Sequence, residues 1–281
     1  MKLELKKLQL VLLALLVFTS CNNEDVTLDD SEVISEEQLN SMDEVDLISE
    51  EVNGVVEDVY AADEIASTSK SNYVSDYLPD CVTITRVVTS TTKEVTIAFA
   101  DDCQLRNGNT VSGTIYLSYA KDMEAATKVL TYSLENFVFN GVSVEGGSSI
   151  TRTRSNENGN PQSVAEAGYS ATWPNGDPAT YNGTRTREWA EGFGSGTWGD
   201  NVFLTTGNAT YTNRLGNTWN RTIVVPLRRE LACRFLVSGV MEISRNANTA
   251  SIDFGDGSCD NKAVVTFPDE TTREINLRRF R

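Results

Sequence analysis

From about Asn72 onward the chain alternates apolar and polar residues with a period of two, and turn signals recur at Asn107-Gly108, Asn140-Gly141, Asn158-Gly159, Asn175-Gly176 and Gly216-Asn217. Alternation places successive side chains on opposite faces of a strand, and Asn-Gly between such runs is the strongest short-range hairpin signal. The runs between the turns are rich in Thr, Val, Tyr and Ile, which suit a pleated surface. They include Val82–Thr89, Glu94–Ala100, Thr114–Ala120, Val129–Phe139, Ser149–Arg154, Thr180–Trp189, Thr218–Val225 and Phe235–Ser244. No helical pattern of useful length interrupts them, so crossover helices and a parallel sheet are disfavoured. The expectation is an all-β domain over 72–281: an antiparallel meander of roughly a dozen strands, as a sandwich or one large twisted sheet.

The residues before this domain differ in charge. Between Asn22 and Ser69 there are sixteen Asp or Glu and no Lys or Arg, so nearly the whole net charge of −16 sits there and the β domain is almost neutral. Such an acidic balance argues against nucleic acid as a partner. Within this stretch Met42, Val45, Ile48, Val52, Val55 and Val59 recur at spacings of three and four, one face of an amphipathic helix. Ser35-Glu36-Glu37-Gln38 and Ser41-Met42-Asp43-Glu44 both read as capping boxes. Gly54 weakens the middle by about 1 kcal/mol relative to Ala. One or two helices are expected, packed on the β domain or marginal alone, and 21–71 is read as an acidic tether. A solvated spacer is the favoured role, with a calcium-binding arm as the alternative.

The first twenty residues form a secretory signal peptide: three lysines among Met1–Lys7, then an apolar run from Leu8 to Phe18 broken only by Gln9. The run is too short to span a bilayer, which needs about 20 apolar residues. Phe18-Thr19-Ser20-Cys21 resembles the lipobox cut by lipoprotein signal peptidase, with Phe18 in place of the usual Leu. That resemblance implies lipidation of Cys21, with several acyl chains holding the protein to the bilayer. Cys21-Asn22-Asn23-Glu24-Asp25 is similar to the acidic export signal of surface lipoproteins in Bacteroidota, which implies the cell-surface side of the outer membrane. A periplasmic face fits the same signals.

Four cysteines remain, an even number in an exported chain, and two disulfides are expected. The midpoint of Cys81 and Cys103 is Thr92, in the polar stretch Ser90–Lys93; that of Cys233 and Cys259 is Asn246, in Arg245-Asn246-Ala247-Asn248. Residues equidistant from a hairpin turn face each other, so the pairs Cys81–Cys103 and Cys233–Cys259 are expected. The first midpoint puts Val87, Val95, Ile97 and Phe99 on the cysteine face. In the second unit a bulge at Gly255-Asp256-Gly257 is needed to bring Met241, Ile243, Ile252 and Phe254 to one face. Val111-Ser112-Gly113 and Val237-Ser238-Gly239 share a phrase, though the first lies beyond its hairpin.

There is no histidine, which removes Ser-His-Asp and Cys-His catalysis and His-ligated zinc. No phosphate-binding or dinucleotide fingerprint is present, and no cofactor is expected. Asp177, Glu188 and Glu191 leave a paired-carboxylate hydrolase formally open. Asp253 and Asp256, in Asp253-Phe254-Gly255-Asp256-Gly257-Ser258, are a weak calcium candidate, although the spacing is not that of an EF-hand and the bulge already accounts for both glycines. The best candidate binding surface is an arginine and aromatic face. Alternation groups Tyr181, Arg185, Arg187 and Trp189 on one strand, Arg152 and Arg154 with Ile150 on an earlier one, and Trp219 and Arg221 with Ile223 on a later one. Such side chains hold sugar rings by stacking and acidic groups by forked hydrogen bonds. The competing and somewhat favoured reading is an internal ladder, with Arg stacked on Trp and paired across strands to Glu.

Gly183-Thr184-Arg185-Thr186-Arg187-Glu188-Trp189, Gly194-Ser195-Gly196-Thr197-Trp198 and the Asp253–Cys259 phrase resemble uncharacterised β-rich lipoproteins of Bacteroidota. The resemblance implies the anchor and the fold and no ligand. The leading expectation is therefore a non-enzymatic, membrane-anchored surface module for a glycan, matrix or protein partner. A glycan-active hydrolase and an accessory subunit of an outer-membrane uptake complex are the alternatives.

Overall fold

A computed structural model describes residues 36–69, 76–122 and 125–277. The signal peptide, Cys21, the export signal and the Ser35 capping box lie outside the described residues. One helix, α1 (Glu36–Ser69), precedes thirteen strands. They are β1 (Val82–Val88), β2 (Thr92–Gln104), β3 (Thr110–Ala120), β4 (Thr127–Phe139), β5 (Val142–Thr153), β6 (Gln162–Thr172), β7 (Pro178–Glu191), β8 (Val202–Asn213), β9 (Thr218–Glu230), β10 (Leu236–Arg245), β11 (Asn248–Asp256), β12 (Lys262–Thr266) and β13 (Thr272–Asn276). They form a single antiparallel sheet in strict sequence order, a meander rather than a sandwich.

The turns follow the expected positions with different chemistry. Only Asn140-Gly141 places both residues at positive φ (49° and 87°), as a type I′ turn requires. Five other loops share another pattern, in which the first residue donates its N–H to the carbonyl four residues on and its own carbonyl accepts from the N–H three residues on. These are Leu105–Asn109, Asn156–Asn160, Trp173–Asp177, Asn213–Asn217 and Phe267–Thr271. Each needs one left-handed residue, supplied by Gly108, Gly159, Gly176, Gly216 and Glu270. This is the three-residue hairpin with a bulge, which needs one left-handed residue where the type I′ turn at Asn140-Gly141 needs two.

Both disulfides form as expected, with Cα–Cα distances of 5.6 Å for Cys81–Cys103 and 5.7 Å for Cys233–Cys259. The register behind the first is different. Val82 pairs with Phe99 and Val88 with Lys93, so the turn centres between Ser90 and Thr91 rather than on Thr92. An irregularity between Phe99 and Cys103, with Asp102 at φ 54°, restores the approach of Cys103 to Cys81. Val95, Ile97 and Phe99 face inward, whereas Val87 pairs with Glu94 and is 57% exposed, a correction to the midpoint argument. In the second unit Met241 pairs with Ile252 and Ile243 with Ala250, and Phe254 is buried on the same face. The bulge sets Gly239 against Phe254 and Gly255, at the near edge of the position expected. The repeated Val-Ser-Gly phrase marks one structural role: Val111 and Val237 are buried, and Gly113 (φ 92°) and Gly239 (φ 115°) sit at register shifts. A Cβ at Gly113 would meet the Asn136 carbonyl oxygen at 2.3 Å, so only glycine lets the strands close there.

The larger departure concerns the expected tether. Glu36–Ser69 is one continuous helix in the same compact unit as the sheet, so the boundary at 71/72 and the solvated-spacer role do not hold for it. Met42, Val45, Ile48, Val52, Val55 and Val59 are all at most 2% exposed, as their spacing predicts. Beyond that stripe, every residue from Glu51 to Ala61 is buried, so the helix is covered on all sides there. Ser41–Glu44 lies within the helix rather than capping a second one.

Dimensions account for the fit. Thirty-four helical residues span about 51 Å, and twelve inter-strand spacings about 58 Å. The helix crosses the strands accordingly. Leu39 shares a small crevice with Ile252, Phe254 and Ile275 of β11–β13, while Asp63 near the other end pairs with Arg86 of β1 and Lys93 of β2. Between them runs an inward row of small residues, Ser148, Ala167, Gly183 and Ala209 on β5–β8, in direct register. The helix backbone comes nearest the sheet at β6, whose inward positions include Ala165, Ala167 and Ala171.

Candidate functional site

The arginine and aromatic face lies inside this interface. Tyr181, Arg185, Arg187, Trp189, Arg152, Trp219 and Arg221 are each at most 7% exposed, and Arg154 is partly exposed at the end of β5. The expectation of an external binding face is corrected, and the internal-ladder reading holds in modified form. The arginines pair with carboxylates of α1 instead of with Glu on neighbouring strands.

Arg185 on β7 donates Nη1–H to Glu50 Oε1 at 2.6 Å and Nη2–H to Asp46 Oδ1. Arg221 on β9 pairs with the other Asp46 oxygen and donates Nη1–H to the Met42 carbonyl at 2.8 Å. Arg152 and Arg154 share Glu64, each at 3.3 Å. Arg187 lies 3.6 Å from Glu57 and 4.0 Å from Glu50, its guanidinium 3.5 Å from the centre of the Phe203 ring. The aromatics complete the packing: Tyr181 stacks on Tyr169 at 5.9 Å, Trp189 Nε1–H donates to Asn201 Oδ1 at 2.9 Å, and Arg245 lies over Trp219 at 5.3 Å.

Asp46, Glu50, Glu57 and Glu64, spaced by four, seven and seven residues, carry this seam, and the reading of the helix passed over them. The same periodicity that marks the apolar stripe marks this acidic one. Glu51, next to Glu50, accepts from Tyr77 at 3.1 Å, Asn107 at 2.6 Å and Asn109 at 3.4 Å. Gly54 has a reason: a Cβ there would meet the Tyr77 hydroxyl at 2.7 Å and Arg187 Nη1 at 3.5 Å. Arg229, also missed, is buried and donates Nη1–H to the carbonyls of Cys233 and Phe235.

Burial alone would raise the Glu50 pKa, but the Arg185 and Arg187 guanidinium groups outweigh it and hold the carboxyl below its ordinary value. Arg185 shows the reciprocal effect, its pKa rising because Asp46, Tyr181 and Glu50 outweigh desolvation. For Arg229 desolvation prevails and the pKa falls, with Glu51 opposing. A crevice of about 60 Å³, room for a few waters, opens beside the seam between Arg185, Arg187, Arg229, Leu231, Leu236 and Phe254.

The carboxylates considered for hydrolysis do not converge. Asp177 precedes β7 and pairs with Arg214 at 2.9 Å; Glu188 lies about 35 Å further along the strand, accepting from Asn160 at 2.6 Å and Asn158 at 3.1 Å. Glu191 pairs with Arg228 at 2.9 Å. Asp253 and Asp256 accept local N–H bonds from Gly255 and Ser258, and the described residues contain no group of three side chains suited to a metal. No described helix is long and apolar enough to cross a membrane. Comparison with protein-family models, with curated proteins and with solved structures finds no match for this chain.

Proposed function

We propose that the chain is a lipid-anchored surface module of the outer membrane that binds a glycan, matrix or protein partner without catalysis. The supporting observation is the use of the arginine and aromatic face, whose charged and stacking groups are spent on the chain's own acidic helix. Partner recognition then falls to the outward face and the loops, where Val224, Val225, Val129 and Tyr116 are each 43–53% exposed. Cys21 precedes the helix by fifteen residues, a reach of at most about 50 Å from the lipid. Two assays test this reading. Cys21→Ser should abolish lipid labelling and release the protein from membranes; unchanged partition would overturn the anchor. The mature chain should bind on a glycan array or capture a surface partner without converting it. Release of reducing sugar from a bound polysaccharide would overturn the non-enzymatic reading.

A further inference from the structure

Next to the ion-paired seam the sheet carries a second inward row with a different balance. Lys128 on β4, Arg152 on β5, Ser163 on β6 and Arg187 on β7 are direct neighbours in register. All four are buried, with exposures of 4%, 2%, 1% and 6%. Lys128 Nζ, Arg152 Nε, Ser163 Oγ, and Arg187 Nε and Nη1 have no hydrogen-bond partner among the described residues. Lys128 and Arg152, like charges directly opposite each other, are a destabilising pair on any sheet. A buried ammonium left unpaired is costlier still. At this end of the row Glu64 is shared by Arg152 and Arg154.

The geometry points to a binding site for a small inorganic oxyanion, phosphate or sulfate, on the Lys128–Arg152–Ser163 row with Arg187 at its far end. A tetrahedral oxyanion accepts several charge-assisted hydrogen bonds at once, and neighbouring ladder positions supply ammonium, guanidinium and hydroxyl donors about 5 Å apart. Water satisfies hydrogen bonds but leaves the Lys128–Arg152 repulsion in place; an oxyanion relieves both. Desolvation lowers the Lys128 pKa, with Asp122 opposing, the direction for a cation that lacks a close partner. Lys128 is the second residue of β4, so the row lies near a strand end, and the Phe193 ring, 36% exposed, lies 5.6 Å from the Arg152 guanidinium.

The test is calorimetric titration and thermal melting of the mature chain with phosphate and with sulfate, against chloride at matched ionic strength. The variants are Lys128→Met, Ser163→Ala and, as an outward control, Val129→Ala. Phosphate or sulfate should bind saturably and raise the melting temperature by several degrees. The affinity should fall at least about tenfold in Lys128→Met, the loss of one charged hydrogen bond, less in Ser163→Ala, and not in Val129→Ala. In anion-free chloride buffer Lys128→Met should melt at or above the wild-type temperature, because it removes an uncompensated charge. Selenate soaked into crystals should give an anomalous peak within hydrogen-bonding distance of Lys128 and Ser163. Equal melting in all three salts overturns the site. So does saturable binding that both variants retain, or a selenate peak elsewhere.

Discussion

The two faces of one strand, β7, show what an arginine on a sheet signifies. Arg185 and Arg187 point inward and are buried against Asp46, Glu50 and Glu57 of the helix, while Thr184 between Gly183 and Arg185 points outward into solvent. Both faces are polar and both obey the period of two. Only the inward one is covered by the helix, and that cover turns a polar face into a core. The energetic consequences differ, because surface ion pairs contribute about 0–1 kcal/mol whereas removing one member of a buried pair costs about 3–5 kcal/mol.

The largest test of this contrast is Asp46→Ala, which removes the carboxylate shared by Arg185 and Arg221. It should destabilise by about 3–5 kcal/mol in denaturant titration, while Thr184→Ala stays within about 0.5 kcal/mol. Comparable losses from the two would erase the distinction between the faces. Next in size is the Cys233→Ala, Cys259→Ala double variant, expected to lose about 3–4 kcal/mol by loop-closure entropy. That loss should add to the Asp46→Ala loss if the staple and the seam are independent.

Titration sharpens the comparison. Tyr132, Tyr169 and Tyr77 are buried on the inner side, where desolvation raises their pKa values above the ordinary 10.0. A raised phenol pKa contributes stability that is complete below pH 10 and lost as pH rises through the folded value. These phenolates should therefore appear, by ultraviolet absorbance, together with alkaline unfolding. Outward-facing Tyr116, raised by its hydrogen bond to Glu135, should ionise without unfolding. Glu50 has the opposite sign. Its folded pKa lies below 4.5, so its contribution is complete above that pH and lost as pH falls through the folded value, giving an acid limb that Glu50→Gln should blunt.

The smallest expected effect is at Gly54. Alanine would gain about 1 kcal/mol of helix propensity, but its Cβ displaces the Tyr77 hydroxyl from Glu51, a bond of about 1 kcal/mol, so Gly54→Ala should be near neutral. In a Tyr77→Phe background the clash is gone and the same change should stabilise. No difference between the two backgrounds would contradict the close approach.

Much of the fold was legible because hairpin strands report locally. Turn residues, alternation and cysteine spacing each concern neighbours in sequence, and they located eight of the strands and both disulfides. Strand β6 escaped notice because its inward residues are Ser163, Ala165, Ala167, Tyr169 and Ala171, four of them too small to raise an apolar signal where the helix comes nearest. The placement of the helix was half legible. Its apolar stripe identified a buried face, but sixteen acids without a base read as solvated, since a local pattern cannot show that arginines 88 to 175 residues away meet Glu64, Glu50 and Asp46. The arginine face was misread as a possible external site for the same reason. The charges were identified correctly; the partner lay elsewhere in the chain.

The central claim is that the acidic helix is core rather than tether, and native-state hydrogen exchange on the mature chain tests it most directly. The amides of Glu51–Ala61 should exchange only through global unfolding, with the same free energy and denaturant dependence as those of β5–β8. Exchange of that segment at the rate of a frayed helix, while the sheet stays protected, would contradict the account.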